Sequence, residues 1–500
     1  MHLSTVLSRA PAGLNAPLVR VEVHLGAGLP AFFLVGLPEA VVRESRERVR
    51  SALLTAGFAF PTGRLTVNLS PADLPKEGGR FDLPMAVGIL AASQQLPPDA
   101  LEGREFYGEL ALNGELRQTP KLVPALLAGC RDGRELILPA ANALEAGLIG
   151  TPNIKLADDL TQVCDALKGR AMLRIAQVPA ALEPRPPPPD LADVRGQFAA
   201  KRALEIAAAG GHGLLMIGPP GAGKTLLAQR LPGLLPPLDR SDALEVASME
   251  SAAGRRPSLG GGRPFRSPQH TATMAALIGG GALRPGELSL ANLGVLFLDE
   301  LPEFARNALE ALREPLESGV VVLARAKRSY DFPARFQLIA AMNPCPCGYA
   351  GDARGRCRCT AEQVARYRNR LSGPLIDRID IHIELLPLPV EHLLADKPAA
   401  VETSATVAAR VAAAHEVQLN RQGTLNSRLT PADMTRFCPL GRDSRVLIGT
   451  AISRLGLSAR AYHRIVRLAR TCADLAGEQS IRRIDVSEAV QLRALDRPIC

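Results

Sequence analysis

The chain has 500 residues, more than one hydrophobic core usually organises, so two to four domains are expected. An apolar fraction of 47% with 22% charged residues excludes wholesale disorder, and no uncharged apolar run is long enough to span a bilayer. The net charge of +9 is uneven, with 19 Lys/Arg against 20 Asp/Glu in residues 1–190 and 40 against 30 in residues 191–500. That balance favours a polyanionic partner for the later part, although arginine-rich solvated helices give the same sum.

The opening MHLSTVLSRAPAGLNAPLVR lacks a basic segment, an apolar core and a small-residue cleavage site in succession, so a cytoplasmic protein is expected. Nine cysteines, an odd number, fit a reducing compartment better than a disulfide framework. LVRVEVHLG, AFFLVGLP, RLTVNLSP and ELILPA read as strands, and VRESRERVRSALLTAG and LPMAVGILAASQQL as helices. They predict an α+β domain over residues 1–180. Pro186 to Pro189 can continue neither a helix nor a central strand, which sets a proline-rich linker over residues 181–192.

Over residues 193–395 short apolar runs alternate with helical segments: GLLMIG, KTLLAQRLPGLL, GVLFLD, NALEALREPLESG and QLIAAMN. This is the pattern of an α/β core whose parallel sheet is covered by helices on both faces. Residues 400–500 read as a helical lid, with VAARVAAAHEVQLNRQ, DSRVLIGTAISRLG, ARAYHRIVRLARTCADLAG and VSEAVQLRAL.

GPPGAGKT, residues 218–225, follows G-x-x-x-x-G-K-[ST] between a strand and a helix. Gly218, Gly221 and Gly223, interleaved with Pro219, Pro220 and Ala222, let backbone N–H groups point at phosphates. Lys224 is placed for the β- and γ-phosphates and Thr225 for Mg²⁺. In GVLFLDELPEF a buried strand ends at Asp299, which would hold the Mg²⁺ water shell, and Glu300 would polarise the attacking water. An ATP hydrolase using ATP and Mg²⁺ is predicted.

Downstream, VVVLARAKRSYDFPARFQ reads as a β-hairpin. Arg325, Lys327 and Arg328 cluster at its tip beside Tyr330, a set that could follow a phosphate backbone and stack on a base; a solvated turn is the alternative. Cys345, Cys347, Cys357 and Cys359 follow in the spacing C-x-C-x₉-C-x-C on an arm over residues 344–360. A tetrahedral Zn²⁺ site is favoured, with free thiols as the main alternative. Such an arm is expected to melt on chelation without touching the P-loop.

A strand and P-loop, an Asp-Glu strand and a strand ending at Asn343 resemble an AAA+ ATPase. The stretch RPFRSPQHTATMAALIGGGALRPGELSLANLGVLFLDELPEF, with YGELALNGELR, LPKEGGRFDLPMAVGIL and IDVSEAVQLRALDR, resembles the magnesium-chelatase-like AAA+ proteins of the ComM/YifB branch. The chain departs from that pattern at Gln269, before His270, and at Asp485, where the family often has histidine.

The resemblance implies a P-loop AAA+ core with a helix-2 insertion over about residues 251–292 facing a pore. It implies an S5-domain-2-like N-terminal domain, of the kind found in Lon proteases, and a C-terminal lid like that of magnesium chelatase. Asn343 would orient the lytic water, Arg378 would be an arginine finger reaching the neighbour's nucleotide, and Arg460 would be the lid's sensor arginine. A finger supplied to a neighbour requires a head-to-tail ring, commonly a hexamer. KEGGRFDLP carries Gly79 and Arg80 where a protease serine would stand, and Val123 occupies the lysine region, so no peptidase is expected. The implied function is an ATP-driven DNA motor off the membrane, a helicase or branch-migration factor on single-stranded or branched DNA in natural transformation or recombination. The alternative is a chelatase-like ATPase that remodels a partner protein.

Overall fold

The computed structural model describes residues 2–36, 40–74, 76–177, 188–257, 260–281, 283–325, 328–351, 354–387 and 402–493. Most of the proline spacer and the junction expected near residue 400 lie outside these segments. The chain divides into two compact units, one of residues 1–184, 240–260 and 281–285 and one of the remainder.

The first unit is built on an eight-stranded mixed sheet. Its order is Arg174–Ile175, Ile154–Ala157, Glu135–Pro139, Arg104–Phe106, His2–Arg9, Leu18–Gly26, Arg64–Ser70 and Ala31–Val35. Alternation sets its faces: Val19, Val21, Val23, Leu65, Val67 and Leu69 are buried, while Arg20 and Arg64 point to solvent. Helix Asp82–Ala92 is buried at all eleven positions, so its sequence shows no polar stripe. The sequence reading gives no strand at His2–Arg9; one forms because Leu18–Gly26 supplies an eight-pair antiparallel partner, Leu25 opposite His2 through Leu18 opposite Arg9. Helix Arg240–Ala252 also belongs to this unit, where Ser251 Oγ accepts from the Val123 N–H at 3.2 Å.

The second unit holds a five-stranded sheet, all parallel, in the order Phe265–Arg266, Val295–Leu298, Gln337–Met342, Leu214–Ile217 and Ile381–Glu384. Its three inner strands are buried at every position, as expected for a sheet covered on both faces. Parallel strands deliver the residues that follow them to one end. The P-loop, Asp299 and Asn343 meet there, whereas Gly213, Gln337 and Asp380 stand at the other end. Strands of four to six residues, at about 3.3 Å each, separate the two ends by about 13–20 Å.

The lid helices Ser404–Gln422, Pro431–Phe437, Arg442–Leu455, Ala459–Leu475 and Arg483–Gln491 share the core's hydrophobic cluster. Ala203, Leu204 and Ala207 of helix Phe198–Gly210 join Val407, Val411, Ile465 and Leu468 in it. The last carbonyls of that helix are satisfied by side chains: Gln337 donates to Ala207 O at 2.7 Å, His415 Nε2 lies 2.9 Å from Ala208 O, and Gln418 donates to Ala209 O at 2.8 Å. A buried network ties lid to sheet. His212 Nδ1 lies 2.9 Å from Asp380 Oδ2, its Nε2 lies 2.8 Å from Thr471 Oγ1, and Arg464 pairs with Asp380 Oδ1. Burial alone would raise the Asp380 carboxyl, but Arg464 and His212 outweigh it and hold the group well below the usual carboxylate range. Among the described residues no helix is long and apolar enough to cross a membrane.

Candidate active site

The buried strand Leu214–Ile217 delivers the chain to the P-loop, and helix Lys224–Ala228 leaves it. Gly221 and Gly223 take φ values of 78° and 89°, a left-handed region that costs any residue with a Cβ. Lys224 Nζ donates to Gly218 O at 2.7 Å, to Pro219 O at 3.0 Å and to Asn343 Oδ1 at 3.1 Å. Burial lowers the lysine from its ordinary value, partly offset by the charges of Asp299 and Glu300. Thr225 Oγ1 donates to Asp299 Oδ2 at 2.8 Å, and Asp299 Oδ1 accepts from the Glu300 N–H at 2.9 Å. The lysine and amide, and the hydroxyl and carboxylate, therefore form two hydrogen-bonded pairs that start from adjacent residues of the P-loop.

Glu300 itself is turned by a left-handed backbone, φ 53° and ψ 46°, and its Oε2 lies 3.1 Å from His270 Nδ1. Thirty residues separate the two, and nothing in their spacing announces the contact.

The four-cysteine arm packs directly on the P-loop. Gly348, at φ 85°, approaches so closely that a Cβ there would stand 2.6 Å from Pro220 Cδ. The expectation of an arm independent of the P-loop is thereby corrected. Cys345 Sγ lies 3.3 Å from Cys347 Sγ and 3.8 Å from Cys357 Sγ, and the four sulfurs fall within 4.8 Å of one another. Zn–S bonds of about 2.3 Å in a tetrahedron place sulfurs about 3.8 Å apart, so the set fits zinc. The backbone amides of Arg358 and Tyr349, then Cys345, hold the Cys347 thiol down to about 6. The Arg356 guanidinium lies 4.3 Å from the centre of the Tyr349 ring, bracing the arm's turn.

Arg378 and Arg460 are not at the P-loop. Both line a cavity of about 550 Å³ with Glu317, Arg335, Arg464 and Arg467, at the end of the sheet where Gly213, Gln337 and Asp380 also line it. Arg378 is paired with Glu317 and donates to Pro374 O at 2.7 Å, while Arg460 is exposed. Arg464 and Arg467 were absent from the sequence reading. Their signal was available, since positions 460, 464 and 467 share one face of helix Ala459–Leu475.

Three matches decide the family. Residues 190–393 match the family described as magnesium chelatase, subunit ChlI, residues 21–142 match subunit ChlI of Mg-chelatase, and residues 401–493 match the ChlI C-terminal family. The chain is 50% identical to "Uncharacterized protein YifB" of Salmonella typhimurium, over 99% of this chain and 98% of that one. It is 49% identical to "Competence protein ComM" of Haemophilus influenzae, with the same coverages. The chain belongs to the ComM/YifB-like, magnesium-chelatase-type AAA+ family. Membership implies ATP hydrolysis with Mg²⁺.

Outside the ComM/YifB core constellation, the hairpin forms as expected from Val320–Arg325 and Arg328–Pro333, with Arg325 opposite Arg328. Lys327 and the side chains of Arg325 and Arg328 lie outside the described residues, and Tyr330 is half-buried. In the first unit a Cβ on Gly79 would stand 2.4 Å from Cγ of the half-buried Glu109 side chain. Arg80 is buried and donates to Pro120 O at 2.5 Å.

Proposed function

We propose that the chain is a ring-forming ATPase that drives DNA, as a helicase or branch-migration factor in natural transformation or recombination. The observation that carries this reading is the placement of Lys224 and the Arg378/Arg460 pair at opposite ends of one parallel sheet. One protomer then cannot bring both to the same γ-phosphate, but two protomers stacked head to tail can.

In this reading Lys224 would hold the β- and γ-phosphates, and Thr225 with Asp299 would hold Mg²⁺, whose charge would offset that developing on the phosphates. Glu300 accepts a proton from the attacking water, and the Asn343 amide orients that water. Arg378 leaves Glu317 for the neighbour's γ-phosphate, and Arg460 joins it from the lid. The sulfurs of Cys345, Cys347, Cys357 and Cys359 would hold Zn²⁺, and would so clip the arm behind Pro220. Loss of the γ-phosphate contact changes the interface, and the basic hairpin of Arg325, Lys327, Arg328 and Tyr330 carries that change to DNA. The name of the Haemophilus relative and the positive charge of residues 191–500 support DNA as the client.

The rival is a chelatase-like ATPase acting on a partner protein, favoured by the description of the matching family. ATPase rates with and without single-stranded and forked DNA, at two salt concentrations, separate them. A motor shows DNA stimulation that fades as salt rises. Stimulation by neither DNA form favours the rival.

A further inference from the structure

The helix that follows the cysteine arm has no part in the roles assigned above. Helix Ala361–Arg368 starts two residues after Cys359 and is fixed there by a capping box. The Gln363 N–H donates to Thr360 Oγ1 at 3.2 Å, and the Thr360 N–H donates to Gln363 Oε1 at 2.9 Å. Of the eight helical residues only Tyr367 is buried, at 5% exposure. Burying a tyrosine ring is favourable, but its phenol oxygen then needs a polar partner. Here that oxygen faces the backbone N–H of Asn343.

The last turn of the helix fastens the loops that follow two neighbouring strands of the sheet. Beyond Gln337–Met342, Tyr367 meets Asn343, and Arg368 Nε donates to Pro344 O at 3.4 Å. Beyond Val295–Leu298, Arg370 donates to Pro302 O at 3.4 Å and to Glu303 Oε2 at 2.6 Å. Both acceptors belong to the short turn Leu301–Glu303, which Glu300 opens. Burial, followed by the charge of Glu303, pushes the Tyr367 phenol up to about 12, so it stays neutral at working pH. Asn343 is also gripped from the other side. Its Oδ1 accepts from Lys224, and the Met342 carbonyl just before it accepts from the Gly218 N–H at 3.2 Å.

We propose that Tyr367 is a positioning residue for ATP hydrolysis, holding the backbone at Asn343 so that its amide and the Glu300 carboxylate face the same water. The inference rests on the roles given to Asn343 and Glu300 in the proposed function. Tyr367 acts through Asn343 and does not touch the nucleotide. An amide aims a water only as well as its own Cα is held, and a displacement of about 1 Å at reacting groups can cost ~100-fold in rate. The returning end of the cysteine arm thereby runs straight into the helix that holds this residue.

The test measures steady-state ATP hydrolysis, ATP affinity and thermal melting for full-length wild type, Tyr367→Phe, Asn343→Ala and the double variant. Phenylalanine keeps the buried ring and loses only the oxygen. Loss of one neutral hydrogen-bonding partner should lower the kcat of Tyr367→Phe about three- to tenfold, with KM, affinity and melting temperature unchanged. In the Asn343→Ala background the same change should cost less than about twofold, because the amide that Tyr367 positions is gone. A Tyr367→Phe protein with the wild-type kcat overturns the proposal. So does a fall in kcat accompanied by a raised KM and a lower melting temperature, which marks a packing role. A loss that multiplies in full with that of Asn343→Ala overturns it too. If Asn343→Ala itself turns over normally, the role given to Asn343 falls first and the proposal falls with it; a slow Asn343→Ala beside a normal Tyr367→Phe sinks the proposal alone.

Discussion

Lys224 and Arg378 differ in what each can reach. Lys224 lies among Gly218 O, Pro219 O and Asn343 Oδ1, and its replacement by alanine should cost both ATP binding and turnover, at least about 100-fold in rate. Arg378 stands at the far end of the strands, paired with Glu317, so Arg378→Ala should leave the ATP affinity of its own P-loop unaltered while turnover falls by ~10³-fold or more. Nucleotide binding and phosphate release, measured on the same preparation, check this split; a parallel loss of both in Arg378→Ala would place the arginine in its own protomer's site. Legibility at this scale followed sequence distance. GPPGAGKT is contiguous, and its spacing carries its chemistry, so every residue of it could be read. The His270 contact and the sharing of one cavity by Arg378 and Arg460 depend on chain reversals that no local spacing encodes.

Two elements are fastened at opposite ends of the second unit's sheet, the cysteine arm at the P-loop and the lid at Asp380. The cysteine arm backs on Pro220 through Gly348, so zinc and nucleotide handling should be coupled. Metal analysis of reduced protein should find one zinc per chain, and Cys357→Ser or chelation should raise the KM for ATP. A misplacement of about 1 Å near reacting groups can cost 100-fold in rate, so a clear loss is expected. Protein without zinc would contradict the arm's assignment. The lid is tied to the sheet by Asp380, His212, Thr471 and Arg464. Asp380 is held below its unfolded value, so its contribution to stability is present above about pH 4 and lost as pH falls further. Asp380→Asn should lower stability at neutral pH by about 3–5 kcal/mol, the usual cost of breaking a buried pair, and flatten the acid limb of a melting-temperature profile. A variant that melts like the wild type at pH 7 would show the network to be idle. Elements with a clear period, such as Leu18–Gly26 and Ala459–Leu475, were readable. Helix Phe198–Gly210 and strand Ile381–Glu384 were not, because burial on nearly all sides erases periodicity and four residues carry too little of it.

At the scale of the molecule, the five-stranded parallel sheet works as a spacer. On the proposed reading it holds phosphate-binding groups at one end and arginines at the other, so that an ATP site would be completed by a second copy of the chain. The order of motifs along the chain predicted the sheet, and sequence alone could not give the end at which the lid's arginines lie. That depends on helix Ala459–Leu475 packing against Phe198–Gly210 through Ile465 and Leu468. On the same reading DNA would be the load on such a ring, and the salt dependence of stimulation would measure its contacts. The shared site itself is tested most directly by mixing two inactive proteins, Lys224→Ala and Arg378→Ala, in equal amounts with ATP and DNA. Random assembly pairs an intact P-loop with an intact arginine at about a quarter of interfaces, so about a quarter of the wild-type ATPase rate should return. A mixture no more active than its separate components, under conditions where the two proteins are seen to co-assemble, would contradict the account.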